Sequence, residues 1–121
     1  MAKVLIVEDA PFIVESFQEV INDQGWQVSG VARTGTEAIE LYKRSKPDVV
    51  IMDILLPGLD GLSAIKQIRA MDPNAKILVV SALAKKDLDR DCIKAGAKGF
   101  IKKPVDSKTL VNSLKSIIEG K

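Results

Sequence analysis

Three acids, a hydroxyl and an amine are the groups in this sequence whose types and positions could do chemistry together. Asp53 interrupts the apolar run "VVIMDILL", between Met52 and Ile54. A carboxylate set there is costly unless something pairs it. Glu8 and Asp9 close "KVLIVED", Ser81 closes "KILVVS", and Lys103 with Pro104 closes "KGFIKKP". Each group stands where a β-branched stretch stops. If those stretches are strands of one parallel sheet, all of them project to the same end. Three carboxylates would then crowd one crevice, and at an effective dielectric of about 20 and about 4 Å each pair repels by roughly 4 kcal/mol. Crowding of that kind raises carboxylate pKa values or demands a cation. The chain contains no histidine, so the ligands would be oxygens. Mg²⁺ with several retained waters fits that set best, and Mn²⁺ could substitute.

Lys103 and Ser81 suggest what such a site would handle. A phosphoryl oxygen could bridge the metal while the ammonium neutralised a second oxygen and the hydroxyl met a third. Phosphoryl transfer depends mostly on positioning and electrostatic stabilisation. Asp53, at the centre, would be the nucleophile and become an aspartyl phosphate. Taken singly these residues have plainer readings: Asp53 as a turn acid or helix N-cap, Lys103-Pro104 as a strand exit, Ser81 as a loop residue. Their coincidence at four strand ends argues for a site, since open α/β sheets gather their sites along that edge.

The elements that must position them follow from periodicity. Strands are expected at 3–8, 26–32, 48–53, 76–81 and 98–102. Between them run helical repeats: Ile13, Phe17, Val20 and Ile21 on the first helix, Ala38, Leu41 and Tyr42 on the second, Leu62, Ile65 and Ile68 on the third. Pro11 suits a first turn and Gly25 a helix stop, and Thr34 with Glu37 forms a capping-box pattern. A charged fourth helix is expected from about Lys86 to Gly96, and Leu110, Leu114, Ile117 and Ile118 line a fifth after Asp106. Strict β-α alternation predicts an α/β fold, a doubly wound five-stranded parallel sheet flanked by five helices. Strands one, three and four are nearly continuous in Val, Ile and Leu, as strands covered on both faces should be. Two and five are poorer and belong at the edges, which gives the order 2-1-3-4-5 with its topological switch between strands one and three.

Composition bounds the function. The 121 residues suit one domain spanning 1–121, with 46% hydrophobic and 28% charged residues. The net charge of +2, with both signs interleaved, predicts neither direct nucleic-acid binding nor a membrane-binding face. No apolar run approaches the roughly 20 residues of a membrane span, and the start lacks a signal-peptide cleavage region. Cytoplasmic localisation and a monomer are the expectations. The lone Cys92 permits no internal disulfide and reads as an ordinary half-buried thiol. Glu15, Glu19 and Asp23, spaced along the first helix, read as a solvated face, with a basic partner as the alternative.

Across its whole length the sequence resembles a receiver domain of a two-component response regulator, the CheY-like family. The resemblance rests on "VLIVED", "VVIMDILLPGLDG", "ILVVSA" and "GAKGFIKKP". It implies that Asp53 takes a phosphoryl group from a phosphohistidine on a sensor histidine kinase or histidine phosphotransfer protein, and that a downstream effector protein reads the result. It further implies that Asp9, Asp53 and the Leu55 carbonyl bind Mg²⁺, with Glu8 acting through water. Ser81 and Lys103 would bind phosphoryl oxygens, and the Lys103-Pro104 bond would be cis. Such a protein catalyses its own phosphorylation and dephosphorylation but is first a signalling protein, with chemotaxis or motility as one setting.

Switching would run through Ser81, drawn toward the phosphate, and Phe100, the aromatic that rotates into the vacated space. A static core role is the plainer reading of Phe100. The output surface would be helix four, strand five and helix five, including Lys86, Lys102 and Lys108. Three departures from the family pattern stand out. Glu8 replaces the commoner Asp, Phe100 lacks a hydroxyl, and Leu55 and Leu83, flanking the phosphoryl position, are both apolar. These leucines are expected to hinder attacking water and lengthen the phosphoryl lifetime. Of the competing functions, a flavin module would need a small-residue phosphate loop where "EDAPFIV" stands, and an aspartate phosphatase would need an acid at Leu55. A pseudo-receiver serving as an interaction scaffold is the remaining alternative. The chain ends soon after the last helix, so signalling is expected to pass through protein contacts unless the sequence is a piece of a larger regulator.

Overall fold

The computed structural model describes residues 1–83 and 85–120. Five strands, Lys3–Val7 (β1), Gln27–Ala32 (β2), Val49–Met52 (β3), Ile77–Ser81 (β4) and Gly99–Lys102 (β5), alternate with five helices. The helices are Pro11–Asp23 (α1), Gly35–Ser45 (α2), Gly61–Met71 (α3), Leu88–Ala95 (α4) and Ser107–Ile118 (α5). All strand pairs are parallel, in the order β2-β1-β3-β4-β5. The edges are the two apolar-poor strands, as their composition predicts. Every residue of β3 and β4 is buried, whereas β5 has none buried and β2 only Ala32.

Strand alternation splits the core in two. Leu5, Val7, Val50, Met52, Ile77 and Val79 face a layer that includes Ala38, Tyr42, Ile65, Ile68 and Cys92 from α2, α3 and α4. Val4, Ile6, Val49, Ile51, Leu78 and Val80 face Phe17, Val20, Ile21, Leu110 and Leu114 from α1 and α5. Each fully buried Leu, Ile or Val contributes roughly 1.5–3 kcal/mol of transfer free energy. The sheet is thus held rigidly from both faces while its carboxyl edge is left to polar groups.

Local chemistry sets most helix ends. The Thr34 hydroxyl accepts from Glu37 N at 3.1 Å, and the Glu37 carboxylate reaches back to Arg33 N at 3.3 Å. Asp60 and Asp106 cap α3 and α5 by accepting from Ser63 N and Thr109 N. Gly25, at φ 76°, ends α1, with Trp26 N donating to Ile21 O and Gly25 N to Asn22 O. Helix α4 starts two residues later than the charge pattern from Lys86 suggests. Asp87 sits at φ 61° and its side chain makes no cap bond, so the helical backbone begins only at Leu88.

Candidate functional site

The expected strand ends are trimmed, and Glu8 and Asp53 fall just beyond β1 and β3, in the turns. Ladder bonds still fix them: Glu8 N donates to Ala32 O at 2.9 Å and Asp53 N to Val7 O at 3.0 Å. Asp53 is 6% exposed because the chain after it folds back over the sheet edge. Leu56 N and Gly61 N both donate to Ile54 O at 3.1 Å. A Cβ on Gly61 would lie 2.2 Å from the Asp53 carbonyl oxygen, so only glycine allows this closure. Sequence patterning had not singled out Gly61 as part of the site; its place directly after the cap residue Asp60 was the available signal.

Lys103 reaches into this edge from the turn after β5. Its backbone N donates to Ser81 O at 2.9 Å, and the Lys103-Pro104 bond is cis. The ammonium lies 2.5 Å from Glu8 Oε1 and 3.2 Å from Asp53 Oδ2. Burial works against the lysine charge, but the Glu8 hydrogen bond and the Asp53 and Glu8 charges together outweigh it and hold its pKa above the ordinary lysine value. At an effective dielectric of about 20, each contact is worth roughly 5–7 kcal/mol before desolvation is subtracted.

Glu8 and Asp53 crowd around the one Lys103 ammonium. Among the described residues no third acidic or cysteine side chain joins that pair in one cluster. Glu8, 2% exposed, accepts from Asp9 N at 3.0 Å and Ala10 N at 3.1 Å through Oε2, and from Lys103 through Oε1. Lysine answers the repulsion between Glu8 and Asp53, and Asp9 stands exposed at the rim. Asp53 Oδ1 accepts one bond, from Leu55 N at 3.2 Å.

Ser81 is fully buried, and its hydroxyl oxygen accepts from Leu83 N at 3.3 Å. Phe100 pairs with Val79 across β4 and β5, and both belong to the core on the α2, α3 and α4 side. Ser81, two residues on, points to that same face by strand alternation. Leu55 is 54% exposed and Leu83 half-buried. Lys86, Lys102 and Lys108 are exposed. Cys92 is free and fully buried, not half-buried as its sequence setting suggests. Burial, then the Asp91 and Asp89 charges, push its thiol up to about 11.

The family model for the response regulator receiver domain matches residues 4–115. The chain belongs to the receiver domain family. A chemotaxis protein CheY from Thermotoga maritima is 45% identical to this receiver domain over 115 residues, covering 95% of this chain and 96% of the relative. One from Listeria monocytogenes is 40% identical over 114 residues, covering 94% and 96%. Among solved structures, the CheX-CheY-BeF3-Mg complex from Borrelia burgdorferi aligns with a TM-score of 0.92 at 35% identity, covering 96% of this chain and 88% of the other. A two-component response regulator of the LuxR family from Aurantimonas aligns at 0.94 and 32% identity, covering 100% and 87%. The receiver domain is therefore a phosphorylation-activated module of two-component signalling. No helix among the described residues is long and apolar enough to cross a membrane.

Proposed function

We propose that Asp53 is the phosphoryl acceptor and that a phosphohistidine on a separate kinase or phosphotransfer protein is the donor. The buried Asp53 carboxylate, sharing the Lys103 ammonium with Glu8, is the observation that carries this reading. In the transfer an Asp53 oxygen attacks phosphorus, the P–N bond breaks, and the imidazole leaves as its nitrogen takes up a proton. Lys103 neutralises one non-bridging oxygen and the Ser81 hydroxyl donates to another. The ladder bonds and the Gly61 closure keep the nucleophile still meanwhile.

The residues present suit Mg²⁺. Asp9 accepts no hydrogen bond among the described residues, the Leu55 carbonyl is equally unengaged, and the donors are all hard oxygens. Asp9, Asp53 and Leu55 O would hold the ion, and when bound it would supply charge neutralisation for the transferring group. With three carboxylates and one ammonium, the edge has a deficit of positive charge that a divalent ion would meet.

The exposed Leu55 and half-buried Leu83 would shield the phosphoryl group from water and lengthen its life. Output would pass from Ser81 through Phe100 to α4, β5 and α5. Between β5 and α5 lies a groove of about 560 Å³, lined by Phe100, Ile101, Asn112 and Ile117 among others, where a side chain of an effector protein could lodge. Chemotaxis is the setting that the CheY relatives suggest, and a free, buried cysteine suits the cytoplasm. Incubation with acetyl phosphate and Mg²⁺, followed by intact-mass analysis, tests the reading. One hydroxylamine-labile phosphoryl group, absent from Asp53→Asn, supports it; an unmodified chain, or one modified equally in the variant, refutes it.

A further inference from the structure

A second cleft lies at the opposite edge of the sheet from Asp53, between the carboxyl-terminal ends of α2 and α3. It holds about 430 Å³ and is lined by Tyr42, Lys43, Lys46, Pro47, Met71 and Asp72. Pro47 and Asp53 stand on either side of β3, about 20 Å apart at the rise of an extended chain. The walls are set before anything binds. Tyr42 is 7% exposed and its hydroxyl donates to Asp72 Oδ2 at 2.7 Å, while Asn74 N donates to Asp72 Oδ1 at 3.0 Å. Both oxygens of the cleft's carboxylate therefore carry a donor from within the chain. Met71 is 40% exposed, and its thioether adapts to varied apolar surfaces. The Lys43 and Lys46 side chains are exposed and meet no acid among the described residues.

Lys46 is also an unusual choice for its backbone. It occupies the left-handed cap of α2 at φ 46°, its N–H donating to Tyr42 O at 3.0 Å. Glycine fits such a cap with less strain. A cation there answers the α2 dipole, but Lys43 and Arg44 already do so from the last turn. What Lys46 adds is a further positive charge on the rim of a cleft with apolar walls.

We propose that this cleft docks an acidic segment of a partner protein. One aliphatic or aromatic side chain of that segment sits against Tyr42, Pro47 and Met71, and carboxylates beside it pair with Lys43 and Lys46. Charge selects the partner, since both rim ammonium groups lack an acid of their own. Docking here leaves the carboxyl edge clear, along with the faces of α4, β5 and α5. The partner is thus a tether, neither the phosphodonor nor the reader of the phosphorylated state. The inference does not depend on Asp53 being the acceptor.

Capped pentapeptides with a central leucine or phenylalanine, flanked on both sides by acidic residues, are the probes, titrated at low salt into the nitrogen-15-labelled chain. Amide resonances of Tyr42, Lys46 and Met71 should shift saturably. Peptides with amides in place of the acids should bind about tenfold more weakly, the loss of two exposed ion pairs at about threefold each. Met71→Ser should weaken the leucine peptide about fivefold through lost apolar contact. Phe12→Ser, which removes another exposed apolar side chain, should not. Lys46→Gly is the decisive variant, because it removes the charge while relieving the cap. It should hold or raise the urea midpoint yet weaken binding about threefold. No saturable shift with either acidic peptide, shifts centred on α4, β5 or α5, or equal binding of the uncharged peptides would each overturn the docking site. So would a Lys46→Gly chain that binds as tightly as the parent, or one that loses stability in step with binding.

Discussion

Replacing Lys103 by methionine keeps a side chain of similar length and removes the positive charge on which Glu8 and Asp53 depend. Both acids are buried, at 2% and 6% exposure, so neither is well solvated after the change. The two contacts, at 2.5 and 3.2 Å, sum to roughly 12 kcal/mol of attraction at an effective dielectric near 20. Most of that is offset by the desolvation the ammonium no longer suffers and by water entering the emptied space. The net expectation is the range for breaking one side of a buried pair, about 3–5 kcal/mol. Urea unfolding of parent and variant near pH 7 measures it. The pH dependence carries a sign that can be checked. Lys103 has its pKa raised on folding, so its contribution is complete below the ordinary lysine range and is lost as pH climbs through the folded value. The gap between parent and variant should therefore be widest at neutral pH and narrow in alkali. A gap under about 1 kcal/mol near pH 7, or one that does not shrink above the lysine range, would refute the buried-pair account.

Other perturbations probe separate parts of the molecule. Gly61→Ala forces a methyl to within 2.2 Å of the Asp53 carbonyl, which should cost about 1–3 kcal/mol in urea unfolding and slow phosphorylation; a variant as stable as the parent would show that the loop yields freely. Leu55→Asn with Leu83→Glu should speed release of inorganic phosphate from the phosphorylated chain, and an unchanged decay would sink the shielding role. Cys92, buried and with its thiol pushed up to about 11, should react with an aromatic disulfide reagent only as fast as the domain opens; rapid labelling of the folded protein would contradict that burial.

Much of this architecture was legible in the sequence, for reasons that are local. Val and Ile runs doubly covered by helices have to be interior strands, so β1, β3 and β4 could be told from the edges β2 and β5 by composition alone. The caps at Thr34 and the stop at Gly25 are short-range backbone chemistry and stand where the residues put them. The start of α4 was misread because charge pattern cannot reveal that Asp87 takes a left-handed backbone. The polar edge was legible only in its membership. That Glu8, Asp53, Ser81 and Lys103 share one end follows from their positions at strand ends, but their pairing does not. Which acid meets Lys103 depends on how far β5 sits from β1 across the sheet and how each turn aims its side chains. Those distances arise only when elements far apart in the chain pack together, so the contact of both Glu8 and Asp53 with Lys103 could be seen only in the folded chain.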